Sequence, residues 1–261
     1  CAPFGCDALT AHRRSPDVVV LPRTADEVRS VLRACRHHGT PVVARGAGTG
    51  LSGGSLPVAG GVLLVLARLN RILEVDPRRR LARVQPGVTN LEISVAAAPH
   101  GLYYAPDPSS QVACTIGGNI AENSGGVHCL KHGLTVHNLL EVRVATIDGD
   151  VLALGSVAGE APGLPLLALL TGSEGMLGVV LEATVRLKPL PERVELLMAS
   201  FADLRRCADA VGRIIAAGIV PAGLEMMDAP AIRAAEAFVR CGYPTDAAAL
   251  LLCELDGLQH D

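Results

Sequence analysis

The chain has no tryptophan, and aromatic residues make up only 2% of its 261 residues. Side chains on which nucleic-acid bases could stack are therefore scarce. Neither charge dominates, because 23 basic and 26 acidic residues give a formal net charge of -3. The longest basic run, Arg78–Arg80, follows Asp76-Pro77 and is interpreted as a solvated hairpin turn. Both shortages argue against nucleic acid as a partner.

Long apolar runs are also missing. No stretch approaches the roughly 20 residues that a membrane-spanning helix needs. "GVLLVLARL" is interpreted as a buried strand and "GLPLLALLTG" as a short helix or loop. Residue 1 is Cys rather than Met and no signal peptide precedes the fold, which suggests a fragment or a processed chain.

Metal motifs are weak in this sequence. Its eight cysteines form no C-x-x-C pair, so we interpret them as reduced and structural and do not expect an iron–sulfur centre. His128, His132 and His137 are closely spaced, but no helix clearly carries them and no carboxylate lies beside them. Zinc is therefore disfavoured, and we predict no metal site.

Local patterns predict an α+β fold. Val18–Leu21 reads as a strand, Thr24 as a helix N-cap with Glu27 completing a capping box, and Gly39 as the residue that ends the helix after His38. A strand at 41–44 completes a small βαβ unit. Further strands are predicted in 61–69, 71–76, 81–87, 139–155 and 178–191, with a helix over 91–98 that ends at Pro99 and Gly101. Asp148-Gly149 is predicted to form a type I′ hairpin turn.

The character of the chain changes near Val194. Strand, helix, helix and strand patterns follow in 194–201, 203–218, 231–242 and 247–257. We expect a first domain over residues 1–190 and the incomplete start of a second α+β domain over 191–261.

"VVARGAGTGLSGGS", residues 42–55, holds five glycines and a literal G-x-G-x-x-G at Gly48, Gly50 and Gly53. A Rossmann turn needs a helix directly after the glycines, because the diphosphate lies at that helix's N-terminus. Here "SLPVAGG" follows, and Pro57 leaves no room for such a helix. We therefore predict a loop whose successive backbone N–H groups surround an anion, with a flexible hairpin loop as the alternative.

Two further segments argue against a merely flexible loop. We name residues 42–55 the first glycine segment, 105–133 the second and 171–180 the third. The second segment adds the hydroxyls of Ser109, Ser110 and Thr115 and the amides of Asn119 and Asn123. Three such segments between strands favour an extended dinucleotide held along its whole length.

At this level of detail the three segments resemble a known family. "PVVARGAGTGLSGG", "TIGGNIAENSGGVHCLKHGLTVHN" and "TGSEGMLGVVLEATVRLKP" are similar to the flavin domain of the vanillyl-alcohol-oxidase/p-cresol-methylhydroxylase (PCMH-type) superfamily. They most resemble the FAD-linked D-2-hydroxyacid dehydrogenases, a family that includes glycolate oxidase D subunits and D-lactate and D-2-hydroxyglutarate dehydrogenases. The resemblance implies two subdomains, a small βαβ and a larger mixed sheet, followed by part of a substrate (cap) domain.

The resemblance also implies a set of FAD-binding residues. The first segment would hold the diphosphate, the second the flavin ring and ribityl chain, and the third would close on flavin and adenosine. The residues implied are Arg45, Gly46, Ala47, Gly48, Thr49, Gly50, Leu51, Ser52, Pro106, Asp107, Ser110, Cys114, Gly117, Gly118, Asn119, Ala121, Asn123, Gly126, Glu174, Gly175, Gly178, Val179 and Val180. Thr49 stands where some relatives carry a covalently linked histidine, so the FAD is expected to be non-covalent.

The reaction implied by the resemblance is oxidation of a 2-hydroxy acid, of the glycolate or D-lactate type, by hydride transfer to flavin N5. Electrons would pass to companion flavin and iron–sulfur subunits or to a quinone. The expected location is cytoplasmic, with possible peripheral association with the inner membrane. Lys131 or His132 could supply a cation near flavin N1. The catalytic base, the metal-binding histidines and the substrate arginine of the family would come from outside this chain.

Alternatives stay open at this stage. The chain could be a non-catalytic flavin-binding companion subunit, or a related oxidoreductase acting on another alcohol or an amine. Other chemistry-bearing residues receive structural interpretations. Asp7, Asp17 and Asp26 are expected in turns or caps, Tyr103 and Tyr104 in packing, and Ser52 and Ser173 lack the partners of a nucleophile.

Overall fold

The computed structural model describes residues 2–158 and 163–257, apart from the side chain of residue 2. These residues form two compact units. The first unit comprises the chain up to Gly126 together with Leu134–Leu190, and the second comprises Val127–Gly133 together with the chain from Pro191. Residues 127–133 thus belong with the second unit although they precede the end of the first in sequence.

Helices and strands are distributed over all of the described residues. The helices are α1 (Ala25–His38), α2 (Asn90–Ala97), α3 (Ile116–Glu122), α4 (Cys129–His132), α5 (Thr135–Asn138), α6 (Leu166–Leu170), α7 (Leu204–Ala216) and α8 (Ala229–Val239). The strands are β1 (Val18–Val20), β2 (Val42–Arg45), β3 (Val62–Val65), β4 (Ile72–Asp76), β5 (Leu81–Val84), β6 (Leu102–Tyr103), β7 (Leu139–Ala145), β8 (Val151–Gly155), β9 (Val179–Arg186), β10 (Lys188–Pro189), β11 (Arg193–Phe201), β12 (Gly223–Asp228) and β13 (Ala249–Gly257). None of the described helices is long and apolar enough to cross a bilayer.

A small parallel sheet with the order β1-β3-β2 opens the first unit. Helix α1 packs its apolar positions Val28 and Leu32 into a core with Leu64 and Leu69. Its ends agree with prediction: the Thr24 hydroxyl accepts a hydrogen bond from the Glu27 N–H, and Gly39 adopts φ +63° as the C-cap. The predicted βαβ arrangement is therefore present, with β3 inserted between its two strands.

The capping box predicted at Thr24 is wrong in one respect. The Glu27 carboxylate accepts its hydrogen bond from the Arg23 N–H at 2.6 Å, not from the N-cap residue. A complete capping box occurs instead on α2, where the side chains of Thr89 and Glu92 accept from each other's backbone N–H groups. The difference is local, because the donor to Glu27 is the N–H one residue before the N-cap and not that of the N-cap itself.

A five-stranded antiparallel sheet, β4-β5-β9-β7-β8, forms the larger part of the first unit. Strand β9 is its central strand and is buried on both faces. Val179 and Leu181 join the core under α1, whereas Val180 and Val185 join the core formed with α2 and α3. This explains why β9 reads as a nearly continuous apolar run rather than as a strict alternation.

The turn between β7 and β8 differs from the predicted type I′ turn. Gly149 has φ +77°, but Asp148 does not have the positive φ that type I′ also requires. The Gly149 N–H donates to Thr146 O at 3.0 Å and the Thr146 N–H donates to Asp150 O at 2.9 Å, which is a type I turn followed by a glycine bulge. Arg29 of α1 donates to Gly149 O at 2.9 Å and holds this turn against the helix.

The second unit contains an antiparallel sheet with the order β11-β13-β12. Helix α7 packs Cys207 against Ala249 and Leu251 of β13, and the Asp203 carboxylate caps its N-terminus. The predicted strand–helix–helix–strand order is present. Strand β12, "GLEMMD", lies between the two helices and was not among the predicted strands.

The described cysteines are all free thiols, namely Cys6, Cys35, Cys114, Cys129, Cys207, Cys241 and Cys253. Burial raises the pKa of the thiols of Cys35, Cys207 and Cys253. A raised thiol pKa lowers the thiolate fraction and with it the reactivity. Cys129 and Cys241 are exposed.

Candidate functional site

A cavity of about 410 Å³ lies in the first unit, and all three glycine segments line it. This volume falls within the range of small-molecule and cofactor sites, about 300–1,000 Å³. Most of the residues assigned by resemblance line it: Arg45, Gly46, Ala47, Gly48, Thr49, Gly50, Leu51, Ser52, Ser110, Cys114, Gly117, Gly118, Asn119, Ala121, Glu174, Gly175, Gly178, Val179 and Val180. Residues far apart in sequence therefore meet around one volume.

Four assigned residues lie outside the cavity lining. The Pro106 carbonyl accepts a hydrogen bond from the buried Asn90 side chain at 2.9 Å. Asp107 packs so closely against Gly126 that a Cβ at Gly126 would overlap the aspartate. Asn123 ends α3 with φ +53°, and its side chain accepts from the Val136 N–H at 3.0 Å. In the described structure these four residues shape the second segment around the cavity.

The first glycine segment runs from β2 into turns and not into a helix. The Leu56 N–H donates to Gly53 O at 3.1 Å, and the next regular element is β3, which begins at Val62. The rejection of a Rossmann turn is therefore confirmed. Gly48 and Gly53 have φ +77° and +82°, a backbone region that other residues enter at a cost.

Arg45, the last residue of β2, connects the two ends of this segment to the N-terminal segment. Its guanidinium is 5% exposed and donates to Cys6 O at 2.9 Å and to Ser55 O at 3.2 Å. Its Cζ also lies 5.9 Å from the centroid of the Phe4 ring. Burial lowers the pKa of Arg45, and the charge of Asp7 partly offsets that effect. Arg45 thus ties both ends of the loop to the N-terminal segment.

Asp7 makes the second tie between the N-terminal segment and the loop. Its carboxylate accepts from the Leu9 N–H and from the Gly53 N–H, each at 3.0 Å. The Ala8 N–H in turn donates to Gly50 O at 3.2 Å. The turn role predicted for Asp7 is confirmed, and the same side chain also lines the cavity.

The second glycine segment contains a helix that the sequence analysis did not assign. Helix α3 begins after Thr115 and carries Gly117 and Gly118 in its first turn. Gly117 lies against Pro86, where a Cβ would come within 2.8 Å of the proline ring. Thr115 and Asn119 are 5% and 1% exposed, and the Thr115 Oγ1 and Asn119 Nδ2 atoms have no hydrogen-bonding partner among the described residues.

The third glycine segment is bonded directly to α3. The Gly172 N–H donates to Ile120 O and the Glu174 N–H to Ala121 O, both at 2.8 Å. Glu174 has φ +55°, between Gly172 at +83° and Gly175 at +75°. With this backbone conformation the Glu174 side chain lies close to Gly54 of the first segment.

Several lining residues were not among those assigned from the sequence. They are Asp7, Ala44, Gly54, Ser55, Leu66, Pro86, Ile120, Glu122, Ser124, Leu170 and Ser173, whereas Ser109 and Thr115, whose hydroxyls the sequence analysis named, also line the cavity. Thr115, Asn119 and Glu122 recur at helical spacing, which places them on one face of α3. A helix assigned over 116–122 would have identified Glu122, but the glycine pair in its first turn argued against one.

Glu122 is the most perturbed acid in the cavity wall. Burial raises the pKa of its carboxyl, and the charge of Glu174 and a hydrogen bond with Glu174 raise it further. The Ser52 hydroxyl donates to Glu122 Oε2 at 3.5 Å and acts in the opposite direction. The protonated form of Glu122 therefore persists to higher pH than that of an exposed glutamate.

This arrangement predicts a pH-dependent effect of Glu122→Gln on the stability of the flavin-free chain. An acid whose pKa is raised by folding loses stability as pH rises from its ordinary value, about 4.3, through the raised value. Glutamine keeps a donor towards Glu174 and does not ionise. We expect the variant to unfold at higher urea than the wild type at pH 8, with the difference shrinking towards pH 4.

The matched control for this comparison is Glu225→Gln, which makes the same change at an exposed position of β12. Its midpoint should follow the wild type at every pH. If the urea midpoints of Glu122→Gln and the wild type differ by the same amount from pH 4 to pH 8, the raised pKa of Glu122 is contradicted.

The histidine-rich part of the second segment belongs to the second unit. His128 Nε2 lies 3.0 Å from Glu254 Oε1, and Lys131 Nζ pairs with the Asp256 carboxylate, both acids being on β13. His132 lies 3.9 Å from the same aspartate. Neither Lys131 nor His132 is among the residues lining the cavity, so the cation suggested for flavin N1 stays a prediction.

Tyr104 is buried to 2% exposure, and burial raises the pKa of its hydroxyl. Tyr103 pairs with Lys188 between β6 and β10. Tyr104 therefore has the packing role expected from the sequence, and the packing role of Tyr103 stays a prediction.

Two protein families match successive parts of this chain. Residues 16–155 match the family described as FAD binding domain, and residues 190–261 match FAD linked oxidases, C-terminal domain. The first match covers more than half of the 261 residues, so this chain belongs to the FAD-binding-domain family, and its cofactor is FAD.

Individual relatives narrow the comparison. Glycolate oxidase subunit GlcD of Escherichia coli (strain K12) is 61% identical over 259 residues, which is 99% of this chain and 52% of the relative. GlcD of Bacillus subtilis (strain 168) is 43% identical over 97% of this chain and 54% of the relative. A D-lactate dehydrogenase of Anaerostipes hadrus is 34% identical over 97% and 55%. The resemblance drawn from the sequence is confirmed, and the chain spans about half the length of these relatives.

Solved structures of alkyldihydroxyacetonephosphate synthase share the fold. Two of them have TM-scores of 0.81 and 0.83 at 22% identity, covering 95% of this chain and 48% and 50% of theirs. The predicted α+β flavin-domain fold is therefore confirmed.

The cavity also fits FAD by its own chemistry. The glycines let the first segment pass close to the neighbouring side chains, where a Cβ would overlap them, and the buried Thr115 Oγ1 and Asn119 Nδ2 have no partner among the described residues, as polar groups of a ligand site would. Buried polar atoms without partners are costly unless such a ligand satisfies them.

Proposed function

We propose that the chain carries the flavin-binding part of an FAD-linked dehydrogenase that oxidises a 2-hydroxy acid, of the glycolate or D-lactate type, to the 2-oxo acid. The main support is the cavity formed by the three glycine segments, in a chain 61% identical to a glycolate oxidase subunit. D-lactate dehydrogenases among the relatives favour the same substrate class.

Within the cavity we place the FAD diphosphate against the first glycine segment. Backbone N–H groups at Gly46–Gly50 would bind it, since no side chain of a glycine blocks their approach. The second segment would face the ring and ribityl chain, with Thr115 and Asn119 completing their hydrogen bonds there. The third segment would contact the remainder through Glu174–Gly175 and Val179–Val180.

Bound FAD would supply a hydride acceptor for the hydrogen on the substrate's α-carbon. The residues of this chain contribute binding and orientation, and apolar side chains such as Leu66, Ile120 and Leu170 exclude water from the cavity. We assign no catalytic base to any described residue. We further propose that residues 1–190 form the FAD domain and 191–261 the start of the cap domain, which the C-terminal family match supports.

The partners proposed are companion flavin and iron–sulfur subunits or a quinone acceptor. The relatives named as glycolate oxidase subunits support an assembly. We also propose a cytoplasmic location with peripheral attachment to the inner membrane. Copurification of an iron–sulfur protein with the membrane fraction of the native host would test both.

Release of flavin tests non-covalent FAD. We expect the purified chain to show a flavin absorption spectrum and to leave that colour in the supernatant after acid precipitation, because Thr49 offers no histidine for a covalent link. Colour that stays in the pellet would contradict a non-covalent cofactor. Absence of flavin even after addition of FAD would contradict the placement in the cavity.

Turnover by the full-length protein tests the substrate class. We expect glycolate or D-lactate to reduce an artificial dye, and alcohols without a 2-carboxylate to fail. Turnover of another alcohol alone would contradict the substrate class. Flavin binding without turnover of any of them would identify the companion-subunit alternative.

A further inference from the structure

Three carboxylates face one another across the cavity wall in the first unit. Glu122 ends α3, Glu174 lies in the third glycine segment, and Asp7 lies in the N-terminal segment. Burial raises the pKa of the Glu122 carboxyl, and the neighbouring acids Glu174 and Asp7 raise it further. Neighbouring like charges favour a proton on one member of this Glu122–Glu174 pair over two negative charges.

The side chains of this pair pack against the first glycine segment. A Cβ at Gly50 would come within 2.7 Å of Glu122 Oε1, and one at Gly54 would overlap the Glu174 carboxylate. The Ser52 hydroxyl reaches Glu122 Oε2 at 3.5 Å. Both acids thus touch the segment against which the diphosphate is placed.

An independent feature of the same cavity points to a polar ligand. Thr115 Oγ1 and Asn119 Nδ2 are buried in its wall and have no hydrogen-bonding partner among the described residues. Thr115 lies so close to Gly46 that a Cβ there would overlap its hydroxyl. A ligand seated on the first segment would therefore lie beside both orphaned atoms and the acid pair.

In the described part of the cavity wall, no cation is paired with Glu122 or Glu174. The charged groups that act on Glu122 are Glu174 from the third segment and Asp7 from the N-terminal segment, and Ser52 of the first segment is its neutral polar neighbour. Arg45 is the basic residue in the described cavity lining, and its guanidinium is bonded to Cys6 O and Ser55 O. A bound dianion would meet the acids without a counter-charge between them.

We propose that binding of FAD in this cavity is coupled to uptake of a proton by the Glu122–Glu174 pair. A diphosphate brings two negative charges and displaces water, and both effects favour the protonated pair. The proton comes from solvent, and no bond other than its own changes. The inference rests on the proposed placement of FAD.

The coupling makes FAD affinity depend on pH. Where the free pair is partly ionised, affinity falls as pH rises, by at most about tenfold per pH unit for one proton. At lower pH, where the free pair already holds its proton, affinity becomes independent of pH. FAD is therefore retained more tightly at lower pH than at higher pH.

Calorimetric titration of FAD into the flavin-free 261-residue chain at pH 8 tests the proposal. Buffers of low and high ionisation enthalpy, phosphate and Tris, report the number of protons taken up. We expect measurable uptake by the wild type and by Glu225→Gln, and none by Glu122→Gln or by the second variant Glu174→Gln. Flavin fluorescence should give a dissociation constant that rises with pH for the wild type and stays level for both cavity variants.

The outcomes separate the two claims. FAD binding without proton uptake, or with equal uptake in wild type and both cavity variants, would overturn the coupling and leave the placement of FAD intact. FAD binding that Gly48→Ala, Glu122→Gln and Glu174→Gln all leave unchanged in strength would overturn the placement itself. Loss of uptake in either cavity variant, with FAD still bound, supports the coupling.

Discussion

Gly48→Ala is expected to weaken FAD binding by about 10–100-fold, which corresponds to about 1.4–2.8 kcal/mol. Gly48 has φ +77°, and a Cβ there would overlap the Arg45 guanidinium. That guanidinium is held at Cys6 and Ser55, so the loop must move rather than the arginine. Titration of the flavin-free chain with FAD, followed by flavin fluorescence, measures the effect.

Gly53→Ala is the matched control, because it separates backbone strain from the overlap. Gly53 has a similar φ of +82°, but the nearest atom to its Cβ would be Leu56 Cδ1 at 3.6 Å, an ordinary contact. Both variants therefore share a left-handed cost of about 1–2 kcal/mol in stability. Equal loss of FAD affinity in both would show that the contact with Arg45 does not shape the loop.

Arg45→Met is expected to lower the free energy of unfolding by about 2–4 kcal/mol. The substitution keeps an apolar stem but removes the donors to Cys6 O and Ser55 O, and it leaves Asp7 without its nearest cation. The first glycine segment then loses one of its two ties to the N-terminal segment. We expect FAD retention to fall together with stability.

Urea unfolding monitored by far-ultraviolet circular dichroism measures this loss. Arg143→Met serves as the control, since Arg143 lies on the surface of the five-stranded sheet and pairs with Glu182. A half-exposed pair of this kind contributes less than about 1 kcal/mol. Arg45→Lys should recover part of the stability, because an ammonium can reach one of the carbonyls but not both. If Arg45→Met unfolds no earlier than Arg143→Met, the buried guanidinium does not hold the loop.

The two predictions and the proposed proton uptake concern one small region, where three chain segments meet. Asp7 and Arg45 hold the first glycine segment by hydrogen bonds, and Glu122 and Glu174 pack against Gly50 and Gly54 of that segment. Backbone N–H groups alone could form an anion site, but these side chains decide how firmly it keeps its shape.

Local patterns were sufficient for the elements whose signals lie within a few residues. Thr24 and Gly39 mark the ends of α1, and Pro57 excludes a helix after Gly53, because capping and proline chemistry act over one helical turn. The sequence predicted the hairpin at Asp148-Gly149 correctly, but the predicted type I′ turn was wrong. That choice depends on strand twist and on Arg29 and Arg33 of α1, which the local sequence does not contain.

The cavity was predicted as a set of segments, but its acid pair was not. Glu122 lies on α3, whose glycines argue for a loop when read alone and become helical when Gly117 packs against Pro86. Likewise His128 and Lys131 appeared to belong to the second glycine segment. In the structure they pair with Glu254 and Asp256, about 125 residues along the chain.

By itself the sequence determined the class of this chain: an α+β flavin domain in which turns, and not a helix, follow the first glycine segment. That information lies in short motifs, because glycine, proline and capping residues restrict the backbone where they stand. Only the tertiary structure decided which carboxyl meets which, which arginine is buried, and which short helix joins the second unit. Those outcomes depend on contacts between distant segments, whose energies no local pattern contains.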